Sequence, residues 1–229
     1  MIVQTPVIVL KSFPYGDNSL IARCFTKEQG KLSLIIKGAR NKKSPKGAHF
    51  EPMSYIDVIY NYNSNRELHI VSKVSFIKYW SNILNNLRSI TLSLAILDLT
   101  EKTLSYEDPH PNLFSTLKKV LTAYNKNNID PNILFWFYEC SLLNNLGFRP
   151  NLNKPEFPGL KLPNIRKANT SGLVLARLLS GDIEKINTSI IKKEDRRIIS
   201  DYLWMLLCYH FDNLNKVKFK KVIKTILSE

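Results

Sequence analysis

Apolar positions alternate with polar ones through residues 1 to about 80, and from near Tyr79 they recur at steps of three and four. Alternation is the period of a half-buried strand, and the longer step is that of a helix. The first pattern predicts five strands: Val3 to Ser12, Leu20 to Thr26, Leu32 to Ile36, Tyr55 to Tyr62 and Leu68 to Phe76. Turn residues separate them at Pro14-Tyr15-Gly16-Asp17, at Gln29-Gly30, through Pro45, Gly47 and Pro52, and over the polar run Asn61 to Arg66. In the fourth segment Ile56, Val58 and Tyr60 share one face, with Tyr55, Asp57 and Ile59 on the other. Five short strands in so little chain predict a small closed barrel of OB-fold size. An SH3-like barrel fits the strand count equally.

The second pattern predicts helices. Ile83, Leu84, Leu87, Ile90, Leu94 and Leu97 mark one buried helix face, closed by Asp108-Pro109-His110-Pro111, after which Asn112 is placed to cap a helix through Leu121 and Tyr124. Asp130-Pro131, a cap and then proline at the first helical position, opens a third helix through Leu146, with Gly147 at its stop. Phe148 to Lys167 holds four prolines and little periodicity, so an irregular excursion is expected. Thr170 or Ser171 caps Leu173 to Leu179, ended by Gly181, and Lys193 to Phe211 and Val217 to Leu227 are two last helices. The expected class is α+β. A barrel over 1–80 is followed by a mostly α-helical domain over 81–229, interrupted by the excursion at 148–168.

Charge changes this ordinary picture. The net charge is +14 and the pI about 9.7, which points to a polyanionic partner, a nucleic acid or an anionic membrane surface. The excess gathers after the third strand, where Lys37, Arg40, Lys42, Lys43 and Lys46 follow one another with no carboxylate among them. With Lys31, they are the expected DNA contacts, since phosphate binding needs cations in no special register. Tyr15, Phe50, Tyr55, Tyr60 and Tyr62 lie in the same module, where rings on a barrel face can stack bases, though for any single one a place in the core is the stronger expectation. Lys216, Lys218, Lys220, Lys221 and Lys224 form a second candidate patch on the last helix, where cations also suit the helix dipole. Lys192, Lys193, Arg196 and Arg197 are interleaved with Glu194 and Asp195 and read as a solvated helix start.

Other chemistry has little footing. No apolar run approaches the length of a membrane span, about 18 residues, and the first residues lack the basic start of a signal peptide, so a cytoplasmic protein is expected. Cys24, Cys140 and Cys208 are far apart and in apolar surroundings, which predicts buried thiols, with no structural metal and no cofactor. His210, in an apolar helix, is expected to be a hydrogen-bonded structural histidine. Glu101, Glu107, Asp108 and His110 are the densest acid–histidine group, and a metal-dependent nuclease using Glu101, Asp108 and His110 ranks behind two binding readings. Phosphate-loop, dinucleotide and serine-hydrolase motifs are absent from the sequence, and no catalytic residue is assigned.

Taken together, TPVIVLKSFPYGDNSLI followed by FTKEQGKLSLIIKGAR resembles the N-terminal signature of the RecO family of bacterial recombination mediators. PHPNLFSTLKKVL, LLNNLGFRPNL, LLSGD and YHFDNL extend the resemblance along nearly the whole chain. It implies an N-terminal OB-fold and a mostly helical C-terminal domain. It also implies binding and annealing of single- and double-stranded DNA, and work with RecR to load RecA onto strands coated by single-strand binding protein (SSB). The family's basic residues after the GKL strand match Lys37 and Arg40, and Lys42 and Lys43 extend them. Many members carry a cysteine-rich zinc motif after the LGFRPNL-like segment, where this chain has Lys154-Pro155-Glu156-Phe157-Pro158, so metal binding does not carry over. The alternative is an interaction module whose basic and apolar groove, in the helical domain near Lys118 and Lys119, receives the acidic SSB C-terminal tail, with DNA secondary.

Overall fold

The computed structural model describes residues 1–41, 45–153, 157–167, 170–215 and 223. Strands β1 (Ile2–Tyr15), β2 (Ser19–Thr26), β3 (Gly30–Ile36), β4 (Tyr55–Asn61) and β5 (Leu68–Lys78) come first. Helices α1 (Leu87–Thr103), α2 (Pro111–Lys126), α3 (Pro131–Asn145), α4 (Ser171–Ser180) and α5 (Lys193–His210) follow. The strands close into a barrel in the order β1-β2-β3-β5-β4, and β4 pairs back to β1. Neighbours are antiparallel except β3 and β5, which run parallel through Ser33–Leu68, Leu34–His69 and Ile35–Ile70. This is the OB-fold topology, and it excludes the SH3-like alternative that the strand count left open.

Alternation places the core. Val7, Val9, Ala22, Cys24, Leu32, Leu34, Ile56, Val58 and Tyr60 fill the barrel, so of the two faces that alternation separates in β4, the one with Ile56, Val58 and Tyr60 is the inner one. A short 3-10 helix, Pro45–Phe50, adds Phe50 to that core. The outer face of β1 and β2 is apolar as well, because Ile8, Leu10 and Phe25 pack against the helices. Phe25 meets Phe114 of α2 edge-on with centroids 5.5 Å apart, and Tyr55 stacks along Trp80 at 6.1 Å. Each such side chain withdrawn from water contributes about 1.5–3 kcal/mol, which fastens the barrel to the helical body.

At the centre of that body lies α3. It is apolar on every side, and α1, α2, α4 and α5 surround it. Its start is the predicted one: the Asp130 carboxylate accepts from the Asn132 N–H at 2.8 Å, with Pro131 in the first turn. One carboxyl is enclosed in this helix. Glu139 is 1 % exposed, its Oε2 has no hydrogen-bond partner among the described residues, and desolvation pushes its pKa well above the usual carboxyl range. In the unfolded chain the same group ionises near 4.3. The folded state therefore holds a proton that the unfolded state releases, and stability falls as pH rises above that value. Glu139→Gln should raise Tm by a few degrees at pH 7, with the gap over wild type widening from pH 5 to 8. A constant gap in thermal melts across that range would contradict this account.

Two helix boundaries differ from the sequence expectation. Ser81–Asn85 is a separate 3-10 turn, because the Asn86 side chain accepts from the Ser89 N–H at 3.0 Å and starts α1 afresh. The buried stripe of α1 then runs through Leu92, Ala95, Ile96 and Leu99 beside the small polar Ser89, Ser93 and Thr100, whereas Leu84, Leu87 and Leu94 stay exposed. For α2 the cap position is His110 and the first-turn proline is Pro111, so Asn112 already lies inside the helix.

Residues 148–153 and 157–167 hold no helix or strand, as their prolines predict. This segment packs through rings. Phe148 stacks on His210 at 4.1 Å, and Phe157 approaches Tyr209 at 5.7 Å and His210 at 5.8 Å. His210 departs from expectation: its buried Nε2 has no hydrogen-bond partner among the described residues, and burial lowers its pKa. The ring serves as packing surface. Lys154, Pro155 and Glu156 lie outside the described residues. So does the predicted last helix, with Lys216, Lys218, Lys220, Lys221 and Lys224, except for Ile223, which is buried.

Candidate nucleic-acid interface

The loop after β3 is anchored across one end of the barrel. The Arg40 backbone N–H donates to the Asn18 carbonyl at 3.0 Å, and its guanidinium donates to the carbonyls of Gly16 at 3.1 Å and Asp17 at 3.3 Å. The β3 loop and the β1–β2 turn therefore form one rim. The 3-10 helix sits on the same loop, for a Cβ on Gly47 would lie 2.6 Å from the Ala39 carbonyl oxygen. Only glycine permits that approach. Lys37, Arg40 and Lys46 are exposed on the rim, and Lys42 and Lys43 lie outside the described residues. Among the described residues, no carboxylate is within ion-pairing distance of Lys37 or Arg40. Loops at a barrel end are a surface on which OB-folds hold oligonucleotides.

Lys31 does not belong to this set. It is 5 % exposed, its Nζ donates to the Glu101 carbonyl at 2.6 Å, and it lies 4.4 Å from the Tyr106 ring centroid. Burial pushes its pKa down, the Glu101 carboxylate acts against that, and Arg23 adds to it. Arg23 pairs directly with the Glu101 carboxylate. The backbone seals the contact. Glu107 N–H donates to the Lys31 carbonyl at 3.0 Å, and Gly30 adopts φ +68°, where a Cβ would stand 2.2 Å from the Asp108 carbonyl oxygen. A lysine in a strand looks solvent-facing by alternation, but α1 and the segment after it cover this part of the β2–β3 outer face. That face is another common OB-fold ligand surface, and here the helical part covers it.

The acid–histidine group is dispersed into such contacts. Glu101 faces Arg23, Glu107 lies 3.4 Å from the His69 Nε2 and accepts from the Tyr62 hydroxyl at 3.3 Å, and Asp108 lies 3.2 Å from His110. Among the described residues no three His, Cys, Asp or Glu side chains gather to hold a metal ion. The aromatic candidates are mostly interior. Tyr60 is inside the barrel and donates to Gln29, Phe50 is core, Tyr55 faces the helices and Tyr62 leans on His69 at 4.9 Å. Tyr15 alone of the five is half exposed.

A groove of about 920 Å³ opens where the barrel meets α2 and the turn after α4. Phe114, Phe137 and Ile183 supply its apolar floor, and Lys27, Lys118 and Lys185 line it as cations. Glu28, Asp182 and Glu184 line it as acids, with Lys27 paired to Glu28 at 4.0 Å and Lys185 to Asp182 at 3.3 Å. Lys118 Nζ sits 5.2 Å from the Tyr55 ring centroid. The sequence expectation of a basic and apolar groove near Lys118 and Lys119 falls on its α2 wall, whereas the other walls come from segments more than 150 residues apart and carry no sequence signal. Among the described residues no helix is long and apolar enough to cross a membrane.

An OB-fold barrel with a basic rim, docked on an α-helical body, defines the class: an OB-fold protein with a helical second part. Its first 80 residues match the family model described as Recombination protein O N terminal, and residues 84–167 match Recombination protein O C terminal. The chain belongs to the RecO family. It is similar to the DNA repair protein RecO of Salinibacter ruber, 33% identical over 67% of this chain and 59% of that protein. To its counterpart in Chlorobium limicola it is 30% identical over 69% of this chain and 61% of that protein. A relative in Exiguobacterium sibiricum, also a DNA repair protein RecO, is 25% identical over 100% of this chain and 88% of its own length. The first two matches thus span about 60% of those relatives' lengths.

Proposed function

We propose that the protein is a non-enzymatic DNA-binding mediator of recombination in DNA repair, which binds and anneals strands and helps RecA load onto SSB-coated single strands together with RecR. The observation that carries this reading is the rim, where Lys37 and Arg40 are exposed without a carboxylate in range and Arg40 fixes two loops into one surface. Cations there neutralise phosphates, so two strands approach and complementary bases meet. No bond is made or broken. Electrostatic attraction of this kind also speeds association.

The groove beside Lys118 favours a second reading, a docking site for the acidic SSB C-terminal tail, since it pairs an apolar floor with lysines. One titration separates the two. The full chain is titrated with a fluorescent single-stranded oligonucleotide and, separately, with an acidic peptide ending in apolar residues. The mediator reading expects the oligonucleotide to bind more tightly. Tight peptide binding with negligible DNA binding would replace it with the interaction-module reading.

A further inference from the structure

Phe76 stands at the end of β5 with 49 % of its surface exposed, and its ring is stacked on His49, centroids 4.1 Å apart and planes 18° from parallel. With Ile77 and Tyr79 also exposed beside it, the half-exposed ring offers a planar apolar surface to a partner. We infer that the Phe76–His49 stack is a platform for an unpaired nucleobase of a strand whose phosphates lie on the basic rim. The inference rests on the DNA-binding reading and assigns it a preference for single strands.

Three features support it. The stack is rigidly mounted, because Phe50, the residue after His49, is 0 % exposed inside the barrel. It is joined to the basic loop, because the same 3-10 helix sits on Ala39 through Gly47. It also has a cation close by in the chain, because the exposed Lys46 lies three residues before His49 in the same 3-10 helix. Any base presents a π-face to such rings, and the contact needs no sequence. A paired base in the interior of a duplex cannot make it, because both its faces are already stacked.

The test uses the full chain with three probes of equal length: a single-stranded oligothymidylate, an abasic single strand and a blunt duplex. Phe76→Ala should weaken oligothymidylate binding at least about fivefold, with Phe76→Tyr restoring it. Binding of the duplex and of the abasic strand should change less than twofold, and the salt dependence should be unaltered. Unchanged oligothymidylate binding, or equal losses on all three probes, overturns the platform while leaving a salt-dependent DNA-binding rim standing. Wild-type protein that binds none of the probes overturns both.

Discussion

Glu101→Ala is expected to be among the most destabilising single substitutions in the chain, lowering stability by about 2–3 kcal/mol and Tm by roughly 5–10 °C. The side chain is nearly buried, and its carboxylate is the partner of Arg23, while its backbone carbonyl receives Lys31. Removing the carboxylate strands Arg23 at the joint between barrel and helices and leaves Lys31 with its backbone bond but without the nearby negative charge. Breaking a fully buried pair costs about 3–5 kcal/mol, and the partial exposure of Arg23 places the expected loss below that. Burial already lowers the pKa of Lys31 against the pull of Glu101, so the variant lets that lysine shed its proton at a lower pH. Glu101→Gln keeps the shape and a polar contact and should lose less. Thermal melts of the two variants check this. A shift under about 1 °C for Glu101→Ala would show that apolar packing alone holds the joint.

The second large effect concerns binding. Changing Lys37, Arg40, Lys42 and Lys43 together to Ala should weaken DNA binding uniformly across sequences, because phosphate contacts carry no sequence information. Arg40 has two roles, as a rim cation and as the tie to the Gly16 and Asp17 carbonyls. Arg40→Lys should therefore retain part of the charge effect while loosening the rim. Lys31→Ala is the control that the fold supplies: it should lower Tm and leave affinity per folded molecule unchanged. A loss of affinity for Lys31→Ala equal to that of the loop variant would mean that the joint, not the rim, governs binding.

Much of this was legible in the sequence where a local rule decides. Strict alternation separated the two faces of β4, and Asp130-Pro131 declared the start of α3. The strand-to-helix order and the motif resemblance led to the OB-fold and the family. What stayed hidden depends on partners distant along the chain. Lys31 lies beside a basic loop in sequence, yet its environment is set by Glu101 and Tyr106, 70 and more residues away. Leu84, Leu87 and Leu94 satisfy a helical period but face solvent, because Asn86 restarts the helix and shifts its stripe. Tyr55, Tyr60 and Tyr62 resemble a stacking surface, and the fold turns them towards cores and hydrogen bonds. Phe76 and His49 gave no signal, since their stacking joins a strand end to a 3-10 turn 27 residues earlier.

The central claim, that a basic rim on the barrel holds DNA through its phosphates, is tested most directly by the salt dependence of single-strand binding in the wild type and the four-alanine loop variant. Each lost phosphate contact should flatten the plot of log K against log salt by about 0.7, so the variant's slope should be shallower by roughly 2 to 3. Parallel plots for the two proteins would contradict the account.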